Sequence, residues 1–121
     1  MEKKKTLIIG ASENPARYSN LAMNRLKNNQ HPVVAIGKKE GVVAGIPIVT
    51  EKLSMGDIDT VTLYLNPVLQ KEYYDYIISL HPKRIIFNPG TENEELAELA
   101  KKQGIKPVEA CTLVLLSTGQ Y

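Results

Sequence analysis

The segment Gly10-Ala11-Ser12-Glu13-Asn14-Pro15-Ala16-Arg17-Tyr18-Ser19 gathers residue types that suit an anion. It leaves an apolar β-type run and enters a helical one. In that setting backbone N–H groups and the positive end of the helix dipole face one crevice. Arg17 adds a planar fork of donors that matches phosphate. Ser12 and Ser19 supply hydroxyls. The loop has neither the Gly-x-Gly-x-x-Gly spacing of a dinucleotide fingerprint nor the Gly-Lys-Ser/Thr of a Walker loop. An ordinary strand-to-helix turn with Ser19 as N-cap is the competing reading.

A second signal lies at Gly37-Lys38-Lys39, after the apolar run Val33-Val34-Ala35-Ile36. Nicotinamide-binding sheets that use NAD place Asp or Glu there to hold the ribose 2′-hydroxyl. Two lysines favour a phosphorylated ribose instead. That admits NADP or coenzyme A and argues against NAD. A solvated basic turn is the alternative. Leu65-Asn66-Pro67 offers backbone that could line an adenine slot, with Pro67 suited to the first position of a helix. Asn88-Pro89-Gly90 closes a third loop, in which Asn88 could direct an amide into the crevice and Gly90 permits close approach. Thr91 and Glu94 have the spacing of a capping box.

No acid–base constellation accompanies these loops. His31 and His81 precede runs of β type and so fall at the wrong end of a parallel sheet. Cys111 is the single cysteine. It sits before a helical run, where a thiol can become reactive, but burial as a small apolar residue explains it equally. No catalytic residue is assigned. No His/Cys spacing fits a metal. Gly10→Val is expected to block a ligand at the loop and to leave the fold intact.

These residues need a scaffold that brings loops 10–19, 37–39, 65–67 and 88–91 together. Apolar runs at residues 6–9, 33–36, 46–49, 60–65, 84–87 and 105–108 alternate with amphipathic stretches at 19–29, 69–80 and 94–102. The runs are continuously apolar, as in parallel strands covered on both faces. The expected architecture is one three-layer α/β domain over residues 1–121: a Rossmann-like, doubly wound, mostly parallel sheet of five or six strands with helices on both faces. In the order 3-2-1-4-5-6 the switch point falls between the first and fourth strands. Ligands bind there, at the strand carboxyl ends. The link at 37–45 is too short for a crossover helix. The apolar tail at 113–116 reads as the last core segment, or alternatively as a homodimer interface.

Composition sets outer bounds. The chain has 121 residues, of which 43% are apolar and 23% charged, an ordinary globular mix. A net charge of +2 does not suggest general nucleic-acid binding. No apolar run reaches the roughly 20 residues of a membrane span. The N-terminus lacks the pattern of a secretory signal, and with one cysteine a cytoplasmic protein is expected.

Taken together, Gly10-Ala11-Ser12 with Pro15 and Arg17-Tyr18-Ser19, Asp59-Thr60-Val61-Thr62-Leu63-Tyr64, residues 84–93 and Glu109-Ala110-Cys111-Thr112-Leu113-Val114 carry a family likeness. The chain resembles the small single-domain bacterial CoA-binding proteins. Their domain is similar to the N-terminal CoA-binding domain of the succinyl-CoA synthetase α subunit. The resemblance covers nearly the whole chain. It implies a Rossmann-type domain holding CoA or acyl-CoA. Gly10, Ala11 and Ser12 would meet the phosphates, with Arg17 and Tyr18 beside them. Gly37, Lys38 and Lys39 would lie near the phosphorylated ribose, and Leu65, Asn66 and Pro67 beside the adenine. Asn88, Pro89 and Gly90 would border the pantetheine. Many relatives have Asn-Pro where this chain has Gly37-Lys38. The synthetase's phosphorylated histidine lies outside this domain, so the resemblance carries binding and not the ligase reaction. Two other functions fit the residues: a small NADP-dependent oxidoreductase-like protein, with Tyr18, Tyr64 or Glu109 as proton donor, or a redox protein that pairs Cys111 with the CoA thiol.

Overall fold

The computed structural model describes residues 2–121. The chain runs β1 (Thr6–Ala11), α1 (Tyr18–Asn28), β2 (Val33–Gly37), β3 (Gly41–Val43), β4 (Ile46–Val49), β5 (Thr60–Leu63), α2 (Pro67–Gln70), α3 (Tyr74–Leu80), β6 (Arg84–Phe87), α4 (Glu94–Lys102), β7 (Lys106–Glu109) and α5 (Thr112–Ser117). The strands form one sheet in the order β3-β4-β2-β1-β5-β6-β7. All pairings are parallel except β3 with β4.

Side chains alternate across each strand, and both faces of this sheet are apolar, which requires a cover on each. Leu7, Ile9, Val61, Leu63, Ile85 and Phe87 face Ile77, Leu96 and Ala100 of α3 and α4. Ile8, Ala35 and Ile86 face Ala22, Met23 and Leu26 of α1, with Leu113, Leu115 and Leu116 of α5 packed alongside. The tail at 113–116 therefore contributes to the core, while Val114 remains 54% exposed. Most of these side chains are fully buried, and each such Leu or Ile contributes about 1.5–3 kcal/mol of transfer free energy.

Two expectations need correction. The sheet has seven strands, not five or six. The additional strand, β3, occupies the link that is too short for a helix. It folds back on β4 as a hairpin, with Val43 opposite Ile46 and with Ala44 and Gly45 both at positive φ, 52° and 80°. Two left-handed residues in a two-residue loop match the twist of a hairpin. Second, the stretch at 67–80 is broken: α2 ends at Gln70, a 3₁₀ turn follows at Lys71–Tyr73, and α3 resumes at Tyr74.

Candidate functional site

The carboxyl ends of β2, β1, β5 and β6 lie side by side, and the chain direction of the crossovers reverses between β1 and β5. A cleft of about 760 Å³ opens over them. Eleven of the fourteen expected site residues line it: Gly10, Ala11, Ser12, Arg17, Tyr18, Lys38, Lys39, Leu65, Asn66, Pro89 and Gly90. Glu13, Asn14, Ser19, Glu40, Tyr64, Leu69 and Thr91 complete the wall.

The β1–α1 loop is held by its own polar groups. Asn14 N–H donates to Ser12 Oγ at 3.1 Å, and Ala16 N–H donates to Asn14 Oδ1 at 3.0 Å. Asn20, in the first turn of α1, donates its amide to Ser12 O at 3.1 Å. These short-range bonds fix the loop without help from a ligand. Ser19 is not the N-cap. Arg17 occupies that place without a side-chain cap bond, and Ser19 is buried inside the first turn. Arg17, Lys38 and Lys39 are exposed, and among the described residues none of them forms an ion pair.

Two glycines at this end serve the backbone. Gly10 has φ +98°, and a Cβ there would stand 2.9 Å from the carbonyl carbon and oxygen of Tyr64. It sits at the register shift between Ile9 and Ala11. A β-carbon at Gly37 would stand 2.3 Å from Ala11 O. Gly37 does not line the main cleft but a small pocket of about 30 Å³ that adjoins it. The expectation that Gly10→Val spares the fold is therefore corrected: the side chain would strike the β5 backbone before it met any ligand. Gly90 differs. Its φ is +91°, and a Cβ there would meet nothing within 4 Å.

Asn88 and Pro67 are not brought to the cleft wall. The Asn88 side chain is buried and fully used. Its amide donates to Thr62 Oγ1 at 2.7 Å and Leu63 O at 2.9 Å, and its Oδ1 accepts from Thr112 N–H at 2.9 Å. It ties β5, β6 and the start of α5 together and has no donor left for a ligand. Pro67 opens α2 behind Asn66, whose Oδ1 caps that helix through Leu69 N–H at 3.0 Å. The cap of α4 is Asn93, through Leu96 N–H, and not Thr91. Thr91 instead donates its hydroxyl to Asn88 O at 2.8 Å.

Sequence reasoning missed the structural parts that Glu13 and Gln70 play, and it offered Tyr64 only as a proton donor. Glu13 reaches from the β1–α1 loop to β3, where its Oε2 accepts from Val42 N–H at 3.0 Å. Gln70 is completely buried behind the cleft. Tyr64 packs beneath the floor. Burial pushes its phenol up to about 12, and among the described residues its hydroxyl has no hydrogen-bond partner. It stays protonated at physiological pH. Cys111 stands at the N-cap position of α5 without a side-chain cap bond and does not line the cleft. His31 and His81 precede β2 and β6, at the opposite end of the sheet.

A mostly parallel sheet with a polar cleft at its switch point, edged by Gly10 and Gly90, defines a doubly wound α/β domain of the kind that takes nucleotides there. The profile of the CoA binding domain family matches residues 4–117, and the chain belongs to that family. Among solved structures, an uncharacterized protein is 51% identical over 100% of both chains, with a TM-score of 0.97. A hypothetical protein from Pyrococcus horikoshii OT3 is 28% identical over 97% of this chain and 84% of its own, with a TM-score of 0.87. A Thermus thermophilus protein at 17% identity, covering 98% and 91%, shares the fold with a TM-score of 0.84. No curated protein matches the chain. Among the described residues no helix is long and apolar enough to cross a membrane.

Proposed function

We propose that the protein binds coenzyme A, free or acylated, in this cleft, and that it works as a binding module. One observation carries the reading: the cleft is electrically lopsided. Its three cationic residues, Lys38 and Lys39 at the β2 end and Arg17 at the β1–α1 loop, stand beside Glu40 and Glu13, whereas the β6 end, Pro89, Gly90 and Thr91, has no cation and has the Glu92 carboxylate on Gly90 N–H. The β2 and β6 ends are three strand spacings apart, about 14 Å. A ligand for such a cleft has a phosphate-rich head and an uncharged arm. CoA has that form: a 3′-phosphorylated ribose, a diphosphate and a neutral pantetheine. The lysines suit the ribose phosphate, the loop 10–17 and the N-terminus of α1 suit the diphosphate, and Leu65 and Asn66 lie between the two ends. A volume near 760 Å³ is within the roughly 300–1,000 Å³ of small-molecule sites. The binding-module reading also rests on the lining, which contains neither histidine nor cysteine, and on Glu13, whose carboxylate is engaged by Val42.

Calorimetric titration with CoA, NADP and NAD tests this. CoA is expected to bind at least tenfold more tightly than NADP, and NAD not measurably. Tighter binding of NADP would overturn the assignment and make Tyr18 and Tyr64 the next residues to replace.

A further inference from the structure

The two walls of the half of the cleft that has no cation belong to different loops. Leu65 and Asn66 follow β5, and Pro89, Gly90 and Thr91 follow β6. One buried side chain joins them. Gln70 has no exposed surface. Its Nε2 donates to Leu65 O at 2.8 Å and to Thr91 O at 2.8 Å, one acceptor on each wall. Its Oε1 accepts from Asn93 Nδ2 at 2.9 Å. Asn93 in turn caps α4 through Leu96 N–H at 3.2 Å and donates to Tyr74 Oη at 2.8 Å. Both amide hydrogens of Gln70 are spent, and no water-filled gap is needed to satisfy it. The β6 turn is stiff in its own right, with Gly90 N–H on Glu92 Oε1 at 2.8 Å and Thr91 N–H on Asn88 O at 2.9 Å. Asn88 ties this turn to the end of β5, and beyond that point the Gln70 amide is the bond that joins it to the Leu65 wall.

We propose that Gln70, braced by Asn93, is a positioning residue that fixes the width of the cleft at its β6 end, where no cation stands, and so selects for a ligand that carries a narrow arm without phosphate. The proposal rests on the CoA reading above and assigns the clamp to the pantetheine rather than to the nucleotide. Gln70→Glu keeps the shape but sets a carboxylate against two carbonyl oxygens, which drives the walls apart. Asn93→Asp keeps the acceptor that caps α4 and removes the donor that braces Gln70. The Lys38–Lys39 end is untouched in both.

The test compares CoA with adenosine 3′,5′-bisphosphate, which has the phosphorylated head and lacks the arm. Affinities are taken from calorimetry, by competition where the fragment binds weakly. In Gln70→Glu, CoA affinity is expected to fall at least tenfold while affinity for the bisphosphate changes less than twofold. Asn93→Asp is expected to show the same split in smaller measure, and it carries the test should Gln70→Glu fail to melt cooperatively. A general structural defect would weaken both ligands alike, and that result, or an unchanged CoA affinity, overturns the clamp. Wild-type protein that binds neither compound overturns the CoA reading itself and the clamp with it.

Discussion

The imidazole of His31 is buried at the end of the sheet away from the cleft. Its Nδ1 accepts from Lys4 N–H at 2.9 Å, its ring lies against Tyr121 with centroids 4.8 Å apart, and its buried Nε2 has no partner among the described residues. Burial, then the nearby charges of Lys3, Lys4 and Arg84, hold its pKa below the usual 6.5, against a smaller opposing pull from Asp59. The sign follows from linkage. A neutral imidazole is what the fold accommodates, so its stability is fully present above about pH 6.5 and is lost as pH falls from there through the lower folded value. Chemical denaturation between pH 7 and pH 5 should show a steep loss in the wild type and a shallower one in His31→Gln, whose amide oxygen can still accept from Lys4. Equal slopes in the two proteins would show that His31 does not govern the acid response. The sequence places this histidine away from the ligand site, but its burial and orphaned nitrogen depend on Tyr121, ninety residues away, and leave no local trace.

At the scale of elements, the β1–α1 turn shows how a strand end is shaped by its neighbour. Gly10 is required by two independent constraints, the left-handed φ and the contact with Tyr64. Gly10→Val should cost about 2 kcal/mol or more in denaturant unfolding. Gly90→Ala meets open space and should cost only the backbone strain, about 1–2 kcal/mol. Equal losses at the two positions would mean that β1 shifts to relieve the clash. The strands themselves are legible, because Thr6-Leu7-Ile8-Ile9 and Arg84-Ile85-Ile86-Phe87 are apolar on both faces and end at glycine or proline. Strand β3 is not, since three residues beginning with glycine carry no period and Ala44 is an unusual residue to hold a positive φ. The cap of α4 is misjudged for a related reason. Thr91 and Asn93 are both capping residue types two positions apart, and the choice falls to Asn93 because Thr91 is drawn to Asn88 and Asn93 is drawn to Gln70.

At the scale of the molecule, the fold brings together loops separated by up to eighty residues and gives them a direction. Eleven of the expected residues meet in one cleft because they end parallel strands on either side of the switch point, and exposed Arg17, Lys38 and Lys39 have no structural duty that would explain them. The three that fall outside it are wholly taken up by the fold. Asn88 knits three elements, Pro67 opens α2, and Gly37 admits the bulge of β1. Gln70 is invisible in the sequence because a glutamine in an amphipathic stretch ordinarily faces water, and only the packing of α2 beneath two loops turns it inward.

The direction of the cleft is the central claim, and the ribose phosphate reports on it. The decisive measurement is a calorimetric titration of CoA and dephospho-CoA into the wild type and into Lys38→Glu/Lys39→Glu. A charge-assisted phosphate contact is worth about 1.5–3 kcal/mol. The wild type should therefore prefer CoA by roughly tenfold or more, and the double variant should lose that preference while binding dephospho-CoA much as before. An unchanged preference in the double variant would contradict the account, since the 3′-phosphate would then lie away from Lys38 and Lys39.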